Sequence, residues 1–308
     1  MGPGSVLIAA GRYGRILLVA GLGAGFLLPG VAGAMRPWLP ALIAALMFLA
    51  ALRIGPRQAI GALRDLPSVL GVVAVYQLAV PLALAAGFGL AGLGGSPAAL
   101  AVILMASAPP IAGSPNLTVL SGGDPAPALR LLVVATACLP VTVLPVFFVA
   151  EGLGGAGPVL AAAGRLLGVI ALAGGAAFLI RGIVWRAPAP RSIAMLDGLS
   201  ALAMVVVVVG LMAKAGPTLL ESPLAFLAWL TLALAANLGA QVVAFLWLGR
   251  TRLRPQRTGL AISAGNRNIA LFLVALPAEV TGPILLFIGC YQIPMYLTPI
   301  LMGRLYRG

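Results

Sequence analysis

Long uninterrupted runs of apolar residues cover most of the chain, and short segments rich in arginine, glycine and proline separate them. The runs are apolar at consecutive positions, and each is close to the roughly 20 residues that an α-helix needs to cross a bilayer. Barrel strands would alternate and be shorter, so we exclude them. We predict ten transmembrane helices, over residues 14–30, 38–54, 66–92, 98–123, 126–150, 157–181, 193–213, 223–248, 256–277 and 280–303.

The composition also indicates a membrane protein. Of the 308 residues, 62% are hydrophobic and 8% are charged, and the mean hydropathy is +1.13. A soluble domain is about a quarter charged, so a soluble globular protein is excluded. The first run, with Ala32-Gly33-Ala34 near its end, imitates a cleavable signal peptide. We nevertheless expect a helix there, because the internal symmetry described below requires one.

The basic residues predict how the helices are oriented. With both chain ends in the cytoplasm, fifteen of the 19 basic residues lie inside and three lie outside, which is the bias of an inner-membrane protein. The net charge of +13 follows from this topology, so we expect no nucleic-acid partner. The inner set is Arg12, Arg15, Arg53, Arg57, Arg64, Arg130, Arg181, Arg186, Arg191, Arg250, Arg252, Arg254, Arg257, Arg304 and Arg307, and the outer set is Arg36, Arg165 and Lys214.

The side chains that carry most enzyme chemistry are scarce. The chain has no histidine, and Cys138 and Cys290 lie inside apolar runs, where we interpret them as small core residues. We expect no enzyme activity, no metal and no cofactor. Asp124 is a candidate proton site, and the alternative is a helix cap before Pro125. The acidic residues all lie at run ends: Asp65, Asp124, Glu151, Asp197, Glu221 and Glu279.

Arg267 is the one basic residue that the topology leaves over. Four arginines at 250–257 mark the inner end of its run, and Arg267 lies about ten residues further on, roughly 15 Å into the membrane at 1.5 Å per residue. An uncompensated charge at that depth costs several kcal/mol, so Arg267 is a candidate functional residue. The alternative is a displaced helix boundary with Arg267 at an interface.

A short motif recurs in the two halves of the chain. The sequence AGSPN at 112–116 is followed by AGNRN at 264–268, an offset of 152 residues, and the same offset takes Cys138 to Cys290. These matches predict a duplication of five helices. An odd number of helices per copy forces the second copy to insert upside down, which is the inverted repeat common among transporters.

The predicted fold is an all-α polytopic membrane protein with two inverted five-helix repeats, 1–152 and 153–308, in one membrane domain. Proline and glycine interrupt helices four and nine, so we predict broken helices that cross near the midplane and form a binding site. The alternative is ordinary proline kinks whose polar residues are satisfied between helices. The candidate substrate-binding residues at the crossover are Ser114, Asn116, Thr118, Asn266, Arg267 and Asn268.

In order and spacing, these residues resemble the bile acid:sodium symporter family over nearly the whole chain. The resemblance rests on Gln77 and Pro81 in helix three, Gly113-Ser114 and Asn116 in helix four, Asn237 in helix eight, and Gly265 to Asn268 in helix nine. It implies a panel of helices 1, 2, 6 and 7 and a core of helices 3–5 and 8–10. It also implies that substrate binds between panel and core, beside the crossover.

The chain departs from this family at the sodium sites. The family's helix-nine Glu falls at Ser263, its Gln falls at Arg267, and two hydroxyl ligands of helix five fall at Ala128 and Leu132. Sodium needs several hard oxygen ligands, usually with a carboxylate, so two ordinary sodium sites are not expected. The former ion-site positions are Gln77, Ser263 and Arg267.

Three interpretations of Arg267 stay open. Its guanidinium could take the place of a bound sodium and pair with the broken-helix carbonyls, Gln77, Ser114 and Asn116. It could instead face the cavity and hold a substrate carboxylate through two parallel hydrogen bonds. It could also have a purely structural role in an inactive descendant.

The predicted function is a secondary transporter. We expect it to carry a small organic anion by alternating access, without ordinary sodium coupling, as a monomer in the lipid bilayer. The alternatives are a sodium-coupled symporter with a remodelled ion site and a channel-like or facilitative pore.

Overall fold

The computed structural model describes residues 3–307, and for Arg15 it describes the backbone alone. Residues 1, 2 and 308, at the outer ends of the two predicted repeats, lie outside the described residues. Short 3₁₀ or π-helical turns join several of the α-helices. In chain order these are α1 (Pro3–Arg12), α2 (Gly14–Leu27), α3 (Pro29–Met35), α4 (Leu39–Gly61), α5 (Leu66–Ala74), α6 (Val80–Leu90), α7 (Pro97–Ser107), α8 (Ser114–Leu120), α9 (Pro125–Val149), α10 (Ala156–Val169), α11 (Gly175–Leu179), α12 (Pro190–Leu211), α13 (Ala215–Glu221), α14 (Pro223–Leu248), α15 (Arg257–Gly265), α16 (Phe272–Ala275), α17 (Ala278–Leu301) and α18 (Gly303–Arg307).

Six helical segments within residues 3–307 are long and apolar enough to cross a membrane, or seven if the bent pair Pro3–Arg12 and Ile16–Leu27 forms one span. The count of ten stays a prediction. On the predicted fourth and ninth runs, α7 and α15 are only 11 and 9 residues long. The six segments are Pro29–Leu90, Pro125–Val149, Ala156–Val184, Pro190–Glu221, Pro223–Leu248 and Ala278–Arg307.

The exposure of these segments fits a lipid environment. In Ala156–Val184, the most apolar window has a mean hydropathy of 2.1, yet only 6% of it is buried inside the protein. Leu172 and Leu179 are 75% and 62% exposed. An apolar helix surface of this size is unstable in water and stable against acyl chains. The prediction of an all-helical membrane protein is therefore confirmed at this level.

The helices group into two compact units, each made of two separate stretches of chain. Unit 1 comprises the described residues up to Ala59 together with Gly168–Leu227, and unit 2 comprises Ile60–Leu167 together with the described residues from Ala228 onward. These units do not coincide with the halves 1–152 and 153–308, because helices from both halves of the sequence pack into each unit.

Unit 1 is built by close approach of helix backbones. The helices α1, α2 and α3 pack along α12. A Cβ at Gly198 of α12 would collide with the Leu7 carbonyl, and one at Gly216 of α13 would collide with the Phe26 carbonyl. Small residues permit such contacts, and they are typical of helix packing in membranes.

Unit 2 has the more completely buried interior. Every residue of α7 from Ala99 to Ser107 is buried, and α9 packs against α5, α8 and α15. The rings of Phe147 and Phe272 lie with their centres 5.6 Å apart within this interior. The candidate site described next lies wholly in unit 2, so it is held by a densely packed scaffold.

Candidate functional site at the paired helix breaks

The first interruption lies between α7 and α8. Ala108 is extended, with φ −64° and ψ 153°, the conformation that a following proline favours. Pro109 and Pro110 have no backbone N–H with which to continue a helix, so the chain stays non-helical until Ser114. Pro115 lies in the first turn of α8, where a missing N–H is tolerated.

The second interruption follows α15 at residues 266–268, and the chain continues as a 3₁₀ turn over Ile269–Leu271. The two copies of the motif therefore differ in local structure. Ser114 and Asn116 belong to a helix, whereas Arg267 belongs to the unwound segment. Both interruptions lie on the predicted fourth and ninth runs, and the first one precedes Ser114 because Pro109 and Pro110 break the helix there.

The two interruptions pair with each other as a short antiparallel bridge between Pro110 and Arg267. The Ile111 N–H donates to the Asn266 carbonyl over 3.0 Å, and the Asn268 N–H donates to the Pro109 carbonyl over 2.8 Å. The bridged residues are 157 positions apart, five more than the motif offset. Each unwound segment thus satisfies backbone groups of the other, as non-helical backbone inside a membrane protein must.

The Arg267 side chain is buried at this bridge and is only 3% exposed. Its Nε donates to the Ala264 carbonyl and its Nη1 to the Ala108 carbonyl, both over 2.9 Å. These carbonyls lie at the C-terminal ends of α15 and α7, which carry partial negative charge. The guanidinium carbon lies 4.9 Å from the centre of the Tyr76 ring, in a cation–π contact. The positive charge of Arg267 is therefore stabilised by the dipoles of two helix ends and by the Tyr76 ring.

Two side chains fix the backbone on either side of Arg267. The Tyr291 hydroxyl accepts the Arg267 backbone N–H over 3.2 Å and donates to the Gly265 carbonyl. The Nδ2 of Asn237 donates to the same carbonyl over 2.6 Å. The C-terminus of α15 is thereby tied to both α17 and α14.

A buried polar network continues from this point. The Asn266 Oδ1 accepts from the Thr298 hydroxyl over 3.2 Å. Gln241 Nε2 donates to Asn237 Oδ1 over 2.7 Å and to the Thr298 hydroxyl over 3.1 Å, and the Tyr306 hydroxyl donates to Gln241 Oε1 over 2.7 Å. All five side chains are buried. They hold Asn266 in place, so we do not assign it to substrate contact.

Gln77 lies in a π-helical turn over Val75–Ala79. Pro81, four residues further on, cannot donate to the Gln77 carbonyl, which explains the local widening of the helix. The Gln77 Nε2 donates to the Ala135 carbonyl over 3.1 Å, and its Oε1 accepts from the Thr142 hydroxyl over 3.3 Å. The expected pairing of Gln77 with Arg267 is therefore not found among the described residues.

The remaining helix-four candidates are not ligands of Arg267 either. Thr118 is buried and its hydroxyl donates to the Ser114 carbonyl over 2.8 Å. The Ser114 hydroxyl is buried and has no hydrogen-bond partner among the described residues. Asn116 is exposed and lies in the first turn of α8. Arg267 instead donates to the carbonyl oxygens of Ala264 and Ala108.

The last three candidates are Ser263, Asn268 and Asp124. Ser263 is buried, and its hydroxyl donates to the Gly259 carbonyl of its own helix over 2.8 Å. Asn268 is half-buried. Asp124 is exposed and its Oδ1 accepts the Ala126 N–H over 2.9 Å, so it caps α9, and the cap alternative matches this geometry.

The described residues contain no group of three or more His, Cys, Asp or Glu side chains that could hold a metal ion. The ion pairs Arg53–Asp197 and Arg130–Asp65 do not involve Arg267. Within residues 3–307, Arg267 therefore has no carboxylate partner.

Sequence reasoning missed Tyr76, Tyr291, Gln241 and Thr298. An amide inside an apolar run is costly in lipid, so Gln241, one helical turn after Asn237, carried a usable signal. Tyr76 and Tyr291 carried no such signal. A tyrosine in an apolar run gives the same sequence pattern whether its ring only packs or its hydroxyl also forms a hydrogen bond.

The fold and the site define a helical membrane protein in which two interrupted helices pair at their breaks around a buried arginine. No protein-family model matches the chain, and no curated protein matches it at a significant level. The resemblance to bile acid:sodium symporters therefore remains a prediction that rests on the residues quoted above.

Proposed function

We propose that this protein is a secondary carrier of a small organic anion, a divergent relative of the bile acid:sodium symporters. The observation that carries the proposal is the pairing of two interrupted helices through Pro110 and Arg267. Interrupted helices at corresponding places in two halves of a chain are the usual setting of a transporter binding site.

In this proposal the Arg267 guanidinium replaces a bound cation. Carbonyls at the C-terminal ends of half-helices are the groups that hold sodium in several transporters, and here the Ala264 and Ala108 carbonyls hold Arg267. A sodium ion about 4 Å away would be repelled by about 4 kcal/mol at an effective dielectric constant of about 20. The ten-helix inverted repeat and alternating access belong to the same proposal.

In this proposal the substrate contacts candidate side chains that are accessible and are not buried among other residues. Of the six crossover candidates, Asn116 is exposed and Asn268 is half-buried, whereas the other four are buried. The interpretation that Arg267 itself holds a substrate carboxylate is disfavoured by its 3% exposure and its two carbonyl partners. An anion fits because no acidic side chain pairs with the bridge within residues 3–307.

One observation favours a second candidate, a carrier with a remodelled ion site. The buried Ser114 hydroxyl lacks a protein partner among the described residues, and such a group normally binds water or an ion. A sodium-coupled symporter would use it.

The first test is thermal unfolding of the detergent-purified protein in sodium and in potassium, with a panel of small carboxylates. A ligand of the native state raises the melting temperature by mass action. We expect equal values in the two salts and an increase with one class of carboxylate. A saturable increase in sodium alone would establish the remodelled ion site and overturn the replacement of sodium by Arg267.

The same carboxylate then distinguishes a carrier from a pore. We expect radiolabelled substrate to accumulate transiently by counterflow in proteoliposomes preloaded with unlabelled substrate. Flux that neither saturates nor shows counterflow would indicate a channel-like pore instead.

Arg267→Gln tests the role of the guanidinium. Loss of charged hydrogen bonds should lower the free energy of unfolding by about 1.5–3 kcal/mol, and sodium should restore part of the loss. Arg165→Gln is the matched control, since Arg165 also donates to a carbonyl over 3.0 Å, but that carbonyl belongs to Ala275, outside the two interrupted segments. Sodium sensitivity in both variants, or loss of carboxylate binding alone in Arg267→Gln, would contradict the proposal.

A further inference from the structure

Unit 1 contains a surface cavity of about 190 Å³, which is lined by three arginines, one proline and one glycine. A single water needs only about 10–15 Å³ of such space, so the cavity has room for a polyatomic group. Its lining residues all belong to unit 1, whereas the residues of the helix breaks belong to unit 2. Its lining residues are Pro56, Arg57, Arg181, Gly182 and Arg186.

The fold builds this cavity with a break in α4. Gly55 has φ 70° and ψ 164°, a backbone conformation that L side chains rarely adopt. A Cβ at Gly55 would lie 2.8 Å from Nη2 of Arg181, so glycine also leaves the space that this guanidinium fills. Arg181 stands in a π-helical turn, Ile180–Val184.

Arg181 is fixed in place, whereas the other two arginines present free donors. The Arg181 Nε donates to the Leu52 carbonyl over 2.8 Å, and its Nη1 donates to the Trp185 carbonyl over 2.7 Å. Arg186 uses only its Nε, which donates to the Gly182 carbonyl over 2.7 Å. Arg57 is exposed and forms no hydrogen bond or ion pair with any described residue.

The arginines of this cluster have no acidic residue beside them in the cavity wall. None of the lining residues is acidic. Asp197, an acidic residue of unit 1, already forms an ion pair with Arg53, with 2.5 Å between Nε and Oδ1. Three guanidinium groups around one cavity repel each other, and an anion with several oxygens would relieve this repulsion through charge-assisted hydrogen bonds.

We propose that the cavity binds the phosphate group of an anionic ligand, and that the ligand in the cell is a phospholipid headgroup. Arginine forks match the geometry of phosphate oxygens. The sequence neighbours of Arg181 and Gly182 offer exposed apolar side chains to acyl chains: Leu179, Ile183 and Val184 are 62%, 64% and 81% exposed. The arginine count predicts that this end faces the cytoplasmic leaflet, where anionic lipids bind basic pockets.

The test measures the melting temperature of the purified full chain with added phosphatidylglycerol, with added phosphatidylcholine, and with inorganic phosphate at constant ionic strength. We expect a saturable increase of several degrees with phosphatidylglycerol and little with phosphatidylcholine. In Arg57→Gln/Arg186→Gln, the lipid concentration for half the shift should rise about tenfold or more, since both free guanidinium groups are lost.

Arg252→Gln/Arg254→Gln is the matched control, because these two arginines are also exposed but lie in unit 2. It should keep the wild-type response. Inorganic phosphate that reproduces the shift, and loses it in Arg57→Gln/Arg186→Gln, would support the phosphate site with a soluble ligand as its source. Equal losses in both double variants, or equal shifts with the two lipids, would overturn the proposal. Both variants are first compared without lipid, so that a folding defect is recognised.

Discussion

The Arg267 guanidinium donates hydrogen bonds to carbonyls at the C-terminal ends of two helices. These bonds stabilise a charge that is otherwise costly to bury. Two hydrogen bonds of 2.9 Å and the Tyr76 ring take the place of a carboxylate. Arginine suits this role better than lysine because its planar fork donates in several directions at once. The charge and the backbone interruption therefore depend on each other.

Tyr291→Phe tests this dependence at the Tyr291 hydroxyl. Its removal leaves the buried Arg267 N–H without an acceptor, whereas the Gly265 carbonyl keeps the Asn237 amide. An unsatisfied buried group costs about 1–3 kcal/mol, so we expect a loss of stability in that range. The free energy of unfolding in a mild detergent is the measurement.

Tyr296→Phe is the control on the same helix. Its hydroxyl is buried and has no hydrogen-bond partner among the described residues, so its removal should be neutral or slightly stabilising. If both variants lose the same stability, the Tyr291 hydroxyl does not hold the break.

At the scale of elements, two similar motifs give different structures because their neighbours differ. A proline pair breaks the first helix locally, whereas the second break, at 266–268, contains no proline and is held by contacts with other helices. One of those contacts is the close approach of α14 to the end of α15. A Cβ at Gly265 would collide with the Asn237 carbonyl and the Gln241 side chain.

Gly265→Ala should therefore disturb the end of α15. Because one of the obstructing atoms is a backbone carbonyl, we expect a cost at the upper end of the about 1–3 kcal/mol typical of overpacking. Thermal unfolding of the purified variant checks this value.

Gly239→Ala on α14 provides a control with the opposite expected sign. No atom lies within 4 Å of a Cβ placed there. Alanine should gain about 0.5–1 kcal/mol over glycine inside a helix. Equal effects of the two substitutions would show that the close approach at Gly265 is not a constraint.

At the scale of the whole molecule, the arginines predict the topology. We expect a green fluorescent protein fused after Gly308 to fluoresce and an alkaline phosphatase at the same place to be inactive, because the predicted C-terminus is cytoplasmic. Fusions after Gly154 should show the opposite pattern, since that loop is predicted to lie outside. Two fusion sites with the same pattern would rule out the ten-helix arrangement with an inverted second repeat.

The sequence by itself determined the class of protein and the positions in the chain at which the candidate site lies. Consecutive apolar positions depend only on the solvent that a helix faces, so they predicted a helical membrane protein without tertiary information. Proline acts on its own backbone, so the interruption before Ser114 was also readable. Arg267 was found because a charge inside an apolar run is costly wherever it points.

Only the tertiary structure decided what these residues touch. The partners of Arg267 are the carbonyls of Ala108 and Ala264, and every residue type has a carbonyl, so no sequence pattern could select them. The pairing of Pro110 with Arg267 joins residues 157 positions apart, and the motif suggested 152. The arginine cavity of unit 1 likewise joins α4 to a distant π-helical turn. Such contacts depend on how helices pack, which hydrophobic pattern alone does not specify.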